Sequence, residues 1–277
     1  ETVDNMNPAQ MGSGFQRHLV FSLIDVAARF PVPKKPKKEH DFTPNMTFLL
    51  FEEPEAFLHP GQQLVLCRNL KSLASKEMNQ VLVSSHSPHF VSQNTDYISS
   101  IIKLTKTDKI TNIGQISQES LNNIFAKNLE LPDGVKDDRS PEDKQVDMES
   151  IKYFLWLDPE RCGCFFAKYV LLVEGPTEKG LFNYIIDKER LNIPDGGVFI
   201  FDSMGKWNMA KFMRLFELLH ITHSVIFDDD NNKPDQKPWN DYINNNRNNY
   251  TKNIKTFSGD LEAYLGVQKP NDSRKKP

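Results

Sequence analysis

Two short apolar runs that end in acids constrain this chain more than any other feature of it. The first is Tyr169-Val-Leu-Leu-Val173, followed at once by Glu174-Gly175-Pro176, the pattern of a buried strand stopped by a turn. Thr177 and Glu178 then open a segment with Leu181, Phe182, Ile185 and Ile186 at helical spacing. A carboxylate at the tip of a buried strand is costly unless it is paired, hydrogen-bonded or bound to metal. Glu174 is therefore a candidate site residue, with a solvent-facing strand-end Glu as the plain alternative. The second run, His223-Ser-Val-Ile-Phe227, ends in Asp228-Asp229-Asp230. In an extended chain Asp228 and Asp230 point the same way. Crowding like charges is unfavourable unless a cation sits between them, and hard divalent ions such as Mg2+ prefer carboxylate oxygen.

Strand–Glu-Gly followed about fifty residues later by strand–Asp-x-Asp resembles the Toprim domain of topoisomerases, primases and a class of nucleases. Glu174-Gly-x-x-Glu178 is most similar to the nuclease branch. Between the two runs, Gly197 to Asp202 reads as another strand and Asn208 to Leu219 as a helix. Lys206 sits where such nucleases carry a Gly-Lys turn beside the metal site; it either meets a DNA phosphate or is a solvated turn lysine. Asp229 to Asn253 is Asn-rich and Pro-containing and is expected to be a surface loop, and Thr251 to Phe257 returns to an extended pattern. Asp260-x-Glu262 alone reads as a helix cap; the resemblance implies that Glu262 completes a metal shell. It also implies a catalytic lysine near the C-terminus, for which Lys275 and Lys276 are the candidates.

A second set of motifs precedes this one. Phe48 to Phe51 is expected to be a buried strand, ending in Glu52-Glu53-Pro54-Glu55. It resembles the Walker B strand of ABC-type ATPases, which implies Glu52 holding Mg2+, Glu53 polarising the attacking water, and 54–60 as a loop signalling between subunits. Gln62 to Ser75 reads as an amphipathic helix with Leu64, Leu66, Leu70 and Leu73 on its apolar side. Gln80 to Ser85 is expected to be another buried strand; His86 after it matches the switch histidine that contacts the γ-phosphate, and His89 is a neighbour without that role. Gly12-Ser13-Gly14 with Gln16 feeds a helical pattern, so its amides suit a phosphate or form a flexible loop; in the ABC resemblance it is the signature turn that closes on ATP held by another subunit. That implies a partner subunit, most simply a second copy. No Gly-x-x-x-x-Gly-Lys-Ser/Thr occurs, so the phosphate-cradling loop is expected from a longer form of the protein or from another chain.

Composition narrows the class without naming it. The 277 residues suffice for two domains, and 38% hydrophobic with 26% charged residues is ordinary for a globular protein. A net charge of −3 gives no global signal for nucleic acid, so DNA contact must come from local patches. The basic run Pro33-Lys-Lys-Pro-Lys-Lys38 is such a patch or a solvated loop. Three cysteines, odd in number, argue for a reducing cytosol, and Cys162-Gly-Cys164 reads as structural. No apolar run approaches the ~18 residues of a membrane span.

The expected architecture is α/β: an ABC-ATPase-like half domain over 1–105, a polar connector over 106–167 with a loop or hinge at Leu131–Ser150, and a Toprim (Rossmann-like) domain over 168–277. That order of motifs, with a connector like Ile151–Phe166, resembles the overcoming-lysogenization-defect (OLD) family, which includes Gabija-type anti-phage nucleases. The resemblance implies a DNA endonuclease with two Mg2+ or Mn2+ ions held by Glu174, Glu178, Asp228, Asp230 and Glu262. ATP with Mg2+ at an ABC homodimer or higher oligomer would gate it, with an accessory defence protein as a possible partner. The rival is a non-nucleolytic ABC-driven DNA clamp or sensor that regulates a separate effector.

Overall fold

The structure, a computed structural model, describes residues 12, 15–16, 19–20, 22–24, 26, 46–93, 95–188, 193, 197–230 and 233–267. It falls into two compact units, Glu1–Gln93 and Asn94–Pro277.

In the first unit β1 (Thr47–Glu52) and β2 (Asn79–Ser84) pair in parallel, Thr47 opposite Asn79 and Glu52 opposite Ser84. Helix α1 (Pro60–Ala74) connects them, starting where the His59 ring accepts from the Gln62 amide and the Gln62 side chain answers the His59 amide, a reciprocal cap with Pro60 at the first helical position. Leu66, Cys67, Leu70 and Leu73 of α1 close over Leu49, Phe51, Val81 and Val83 of the sheet. The other sheet face is open: Phe48 is 60%, Leu50 70% and Leu82 55% exposed. The strands expected to be buried on both faces therefore alternate in burial. The short helix α2 (Pro88–Ser92) ends the unit.

The second unit opens with a 3-10 turn (Thr95–Ser100), the hairpin β3 (Ile102–Thr107) and β4 (Ile110–Gln115), and α3 (Gln118–Lys127). Where the composition suggests a loop or hinge at 131–150, helix α4 (Pro141–Leu157) forms instead from its middle onward. The signal was local: Ser140 and Asp143 make a capping box with Pro141 at the first helical position. A 3-10 segment, Pro159–Phe165, follows. Within it Gly163 is required by packing, since a Cβ there would lie 2.6 Å from the Phe199 ring. Cys162 and Cys164 flank it as buried free thiols, and burial pushes the Cys162 thiol up to about 12, so the Cys-Gly-Cys run is packing rather than chemistry.

The remaining elements are β5 (Val170–Val173), α5 (Pro176–Asp187), β6 (Phe199–Asp202), α6 (Lys206–Leu218), β7 (His223–Asp228), α7 (Lys237–Asn245), β8 (Thr251–Phe257) and α8 (Leu261–Leu265). The strands form one parallel sheet in the order β6-β5-β7-β8. From β5 the chain steps one way to β6, then returns past β5 to β7. This reversal puts a topological switch point between β5 and β7, and open parallel sheets bind ligands outside the carboxyl ends of the strands at that crevice. The core is aromatic, with Phe201 4.5 Å from Phe212 and 5.4 Å from Phe216 between ring centroids.

The connector belongs to this unit rather than standing apart. Lys211 of α6 reaches Asp147 at 3.3 Å and Ser150 at 3.2 Å on α4, and Arg214 donates to the Lys127 carbonyl at the end of α3. The Asn-rich stretch is also ordered: α7 occupies it, and Asn240 and Asn248 donate to the carbonyls of Asp229 and Met213. Among the described residues no helix is long and apolar enough to cross a membrane.

Candidate active site

Strands β5 and β7 run side by side with Val173 opposite Ile226, so Glu174 and Asp228 emerge together at the switch point. Each carries a buried carboxylate oxygen, Glu174 Oε2 and Asp228 Oδ1, with no hydrogen-bond partner among the described residues. Burial, then the charges of Glu174, Glu178, Asp230 and Asp260, push the Asp228 carboxyl up to about 7. Glu174 is also raised, by burial first, with Lys206 and the Asp228 backbone opposing the shift and Glu178 and Asp230 adding to it. A polar atom buried without a partner costs on the order of 1–3 kcal/mol, a cost that protonation or a counter-ion would relieve.

The surrounding residues hold this pair open. The loop after β6 is stitched to the Glu174 backbone: Ser203 Oγ donates to the Val173 carbonyl at 2.9 Å and the Gly205 amide to the Glu174 carbonyl at 2.7 Å. Gly205 does so at φ 113, in the region that favours glycine. Glu178 Oε2 accepts from the Gly175 amide at 2.9 Å, fixing the turn at the start of α5. Lys206 is 3% exposed, not a solvated turn lysine, and donates to Asp230 Oδ2 at 3.0 Å and Gln236 Oε1 at 3.2 Å. Lys233 adds a second contact to Asp230 at 2.9 Å. Burial alone would raise the Asp230 carboxyl, but Lys233 and Lys206 hold it below its usual range.

The extended run expected through Asp228 and Asp230 is broken by the backbone. Asp230 has φ 47, a left-handed conformation that ends the period-two alternation, and its carboxylate turns to the two lysines. Among the described residues no three His, Cys, Asp or Glu side chains form a set that would hold a metal ion alone. The donors present nevertheless fit one class of ion. Mg2+ is commonly bound by one or two carboxylates and completes its shell with water and phosphate oxygen, and Glu174 with Asp228 supply such a pair.

In the first unit Glu53, at φ 42, sits just past β1 with its Oε1 3.1 Å from His86 Nε2; the two side chains are 43% and 81% exposed. Glu52 is exposed at the strand end. Glu55, the last acid of the Glu-Glu-Pro-Glu motif and assigned no site role from the sequence, is buried and accepts from Ser85 Oγ and the His86 amide, leaving Oε2 without a partner among the described residues. The amides of Phe15 and Gln16 donate to the Gly12 carbonyl at 3.0 and 3.2 Å. Ser13, Gly14, Lys275 and Lys276 lie outside the described residues.

Asp260 caps α8 through the Ala263 amide at 2.8 Å and adds its charge to Asp228, whereas Glu262 lies in the first turn of that helix, half-buried. Sequence motifs also miss Asp202, a third acid closing an apolar strand. Its Oδ1 accepts from the Met204 amide at 2.7 Å and its Oδ2 lies 3.6 Å from Arg161. Its signal, Phe-Ile-Phe-Asp202, is the same as that of Glu174 and Asp228; Gln236 and Lys233 had none.

Comparison with known proteins agrees with this division. A family described as an AAA ATPase domain matches residues 4–91, and one described as the TOPRIM domain of overcoming-lysogenization-defect-like proteins matches 165–230. The chain joins part of an AAA-type ATPase domain to an OLD-like TOPRIM domain. Among its relatives, a Bacillus cereus (strain HuB5-5) protein named endonuclease GajA is 25% identical over 97% of this chain and 36% of its own length. An OLD nuclease of Thermus scotoductus is 23% identical over 66% of this chain and 30% of its own length. A second endonuclease GajA, from Bacillus cereus (strain VD045), is 24% identical over 79% and 31%. The chain thus spans about a third of the length of the curated relatives it matches.

Proposed function

We propose that the full-length protein is a divalent-metal-dependent DNA endonuclease whose cutting centre is the Glu174–Asp228 pair, gated by ATP at a dimer of its ATPase part and serving in anti-phage defence. The observation that carries this reading is the pair of partnerless buried carboxylate oxygens at the β5–β7 crevice. The names of the relatives support the reaction class, and TOPRIM nucleases and ATPase domains generally use divalent metals and ATP.

Glu174 and Asp228 would hold the first Mg2+ or Mn2+, with Glu178, Asp230 and Glu262 as the further acids assigned to a second ion. When bound, the ions would activate water and neutralise charge on the transferring phosphoryl group. The chain's own residues prepare that chemistry. Near neutral pH Asp228 carries a proton for part of the time, which it would have to give up to hold a cation. Lys206 and Lys233 keep Asp230 ionised beside it and offset its charge, so the negative charge that would attract a cation has to come from Glu174 and Asp228. Glu178 and Ser203 hold the Glu174 turn. In the ATPase part we assign Glu52 to the nucleotide's Mg2+, Glu53 to orienting its attacking water, and His86 to the γ-phosphate. Gly12, Ser13, Gly14 and Gln16 are assigned to ATP held by the opposite subunit.

Supercoiled plasmid incubated with the full-length protein and Mg2+ or Mn2+ tests this. Nicking or linearisation is expected, falling by at least about a thousandfold in Glu174→Ala. Absence of cutting with every metal, with and without ATP, would favour the clamp or sensor reading, toward which the lysine-bound state of Asp230 leans. Cutting that survives in Glu174→Ala would place the centre elsewhere.

A further inference from the structure

The unit that holds the acids also has a cavity of about 210 Å3 that the hydrolytic reading does not use. Its walls include Trp207, Trp239 and Tyr242 on the aromatic side and Arg139, Asp147 and Lys211 on the polar side. It is joined to the acidic site through the chain itself. Trp207 directly follows Lys206, which holds Asp230, and Trp239 lies one turn after Gln236, the other partner of Lys206.

The cations in the wall are already answered within the protein, and Glu130, a second acid in the wall beside Asp147, lies 3.8 Å from Arg214. Arg139 donates to Asp147 at 2.8 Å and to Asp137 at 2.9 Å, and Lys211 donates to Asp147 at 3.3 Å. Neither of these two cations is left over to recruit a phosphate or carboxylate. What the cavity offers is aromatic surface: Trp207 is 56% exposed, and Trp239 and Tyr242 meet edge to face with ring centroids 6.2 Å apart. Asn128, 2% exposed and also in the wall, carries an Oδ1 with no partner among the described residues. The space is smaller than the roughly 300–1,000 Å3 of sites for drug-sized ligands and suits one planar ring system. Aromatic faces beside a polar wall are the chemistry that recognises an unstacked base.

We propose that this cavity receives one nucleobase, displaced from the strand whose phosphate lies at the Glu174–Asp228 crevice. This rests on the nuclease reading for the position of the strand, but not for the existence of the pocket. Base capture would let the enzyme prefer DNA in which a base is already unpaired, because unstacking a paired base costs binding energy.

The test uses metal-free full-length protein and fluorescein-labelled single-stranded oligonucleotides that differ in one abasic residue stepped along the strand. At one position the intact strand should bind about tenfold more tightly than the abasic one. Trp207→Ala and Trp239→Ala should lose that preference and Trp207→Phe should keep it, all with the parent's circular dichroism. Tryptophan quenching by deoxyadenosine monophosphate, absent in Trp207→Ala, would assign the pocket to free nucleotides; quenching by the strand alone would assign it to a base of the substrate. Equal binding of intact and abasic strands at every position, or a preference that survives both alanine variants, overturns the proposal. Should the parent cut plasmid without a base preference, the pocket fails and the nuclease stands. A base preference in a protein that cuts nothing would mean that the pocket stands and the nuclease fails.

Discussion

Two pairs of parallel strands in this chain end in acids, and their surroundings differ. At the tips of β1 and β2, Glu53 and His86 face each other with 43% and 81% of their side chains exposed, above a two-stranded sheet with one apolar face open. At the tips of β5 and β7, the carboxylates of Glu174 and Asp228 are part-buried in a four-stranded sheet, and two of their oxygens lack partners among the described residues. The same sequence pattern thus produces a solvated acid–base pair in one place and a desolvated, like-charged pair in the other. Desolvation rather than the identity of the acid separates the two pairs, because a buried carboxylate must neutralise itself or acquire a counter-ion, and this is what the proposed cation site at Glu174 and Asp228 rests on.

The largest expected difference concerns the sheets. Phe201→Ala, in the ring cluster and 0% exposed, should cost about 3–5 kcal/mol, whereas Leu50→Ser, at 70% exposure, should cost less than about 0.5 kcal/mol within this chain. Denaturant midpoints would check this, and equal losses would mean that the face of β1 is covered in solution. Next comes the charge state of Asp228. Its folded pKa of about 7 exceeds the unfolded value of 3.8, so ionisation penalises the folded protein. The penalty is absent below the unfolded value, grows as pH rises and levels off above about 7. Asp228→Asn should therefore raise the melting temperature of the metal-free protein at pH 8 by roughly 2–4 °C, after allowing for partial solvent screening. The gain should shrink toward pH 4, and a gain independent of pH would contradict the assignment. The smallest effect is His86→Ala, which should cost under about 1 kcal/mol because its ion pair with Glu53 is exposed. A larger loss in thermal unfolding would move that pair into the buried class.

Where local pattern decides structure, the sequence was readable. The apolar runs of β5, β6, β7 and β8 fall where alternation and turns put them, Thr251–Phe257 to the residue, and the leucines of α1 and the apolar face of α6 appear as helices. That Glu174 and Asp228 close neighbouring strands was legible because an acid closing an apolar run is a local event. What escaped was decided at a distance or against composition. Helix α4 hid in an Asp-, Lys- and Pro-rich segment although Ser140 and Asp143 marked its start. Helix α7 hid among asparagines whose side chains bond backbone carbonyls across the fold. The exposure of Phe48 and Leu50 depends on what does not cover them, and an apolar run cannot reveal that. The burial of Lys206, open in the sequence between a phosphate contact and a solvated turn, escaped because its partners Asp230 and Gln236 lie 24 and 30 residues away.

The central claim, that burial without partners makes Glu174 and Asp228 a cation site, is most directly tested by calorimetric titration. Mn2+ and Mg2+ would be added to nucleotide-free full-length protein and to its Glu174→Gln and Asp228→Asn variants at pH 8. Binding to the parent with release of less than one proton, and its loss in both variants, is the predicted result. Binding of undiminished affinity in both variants would contradict the account and show that these two oxygens do not hold the ion.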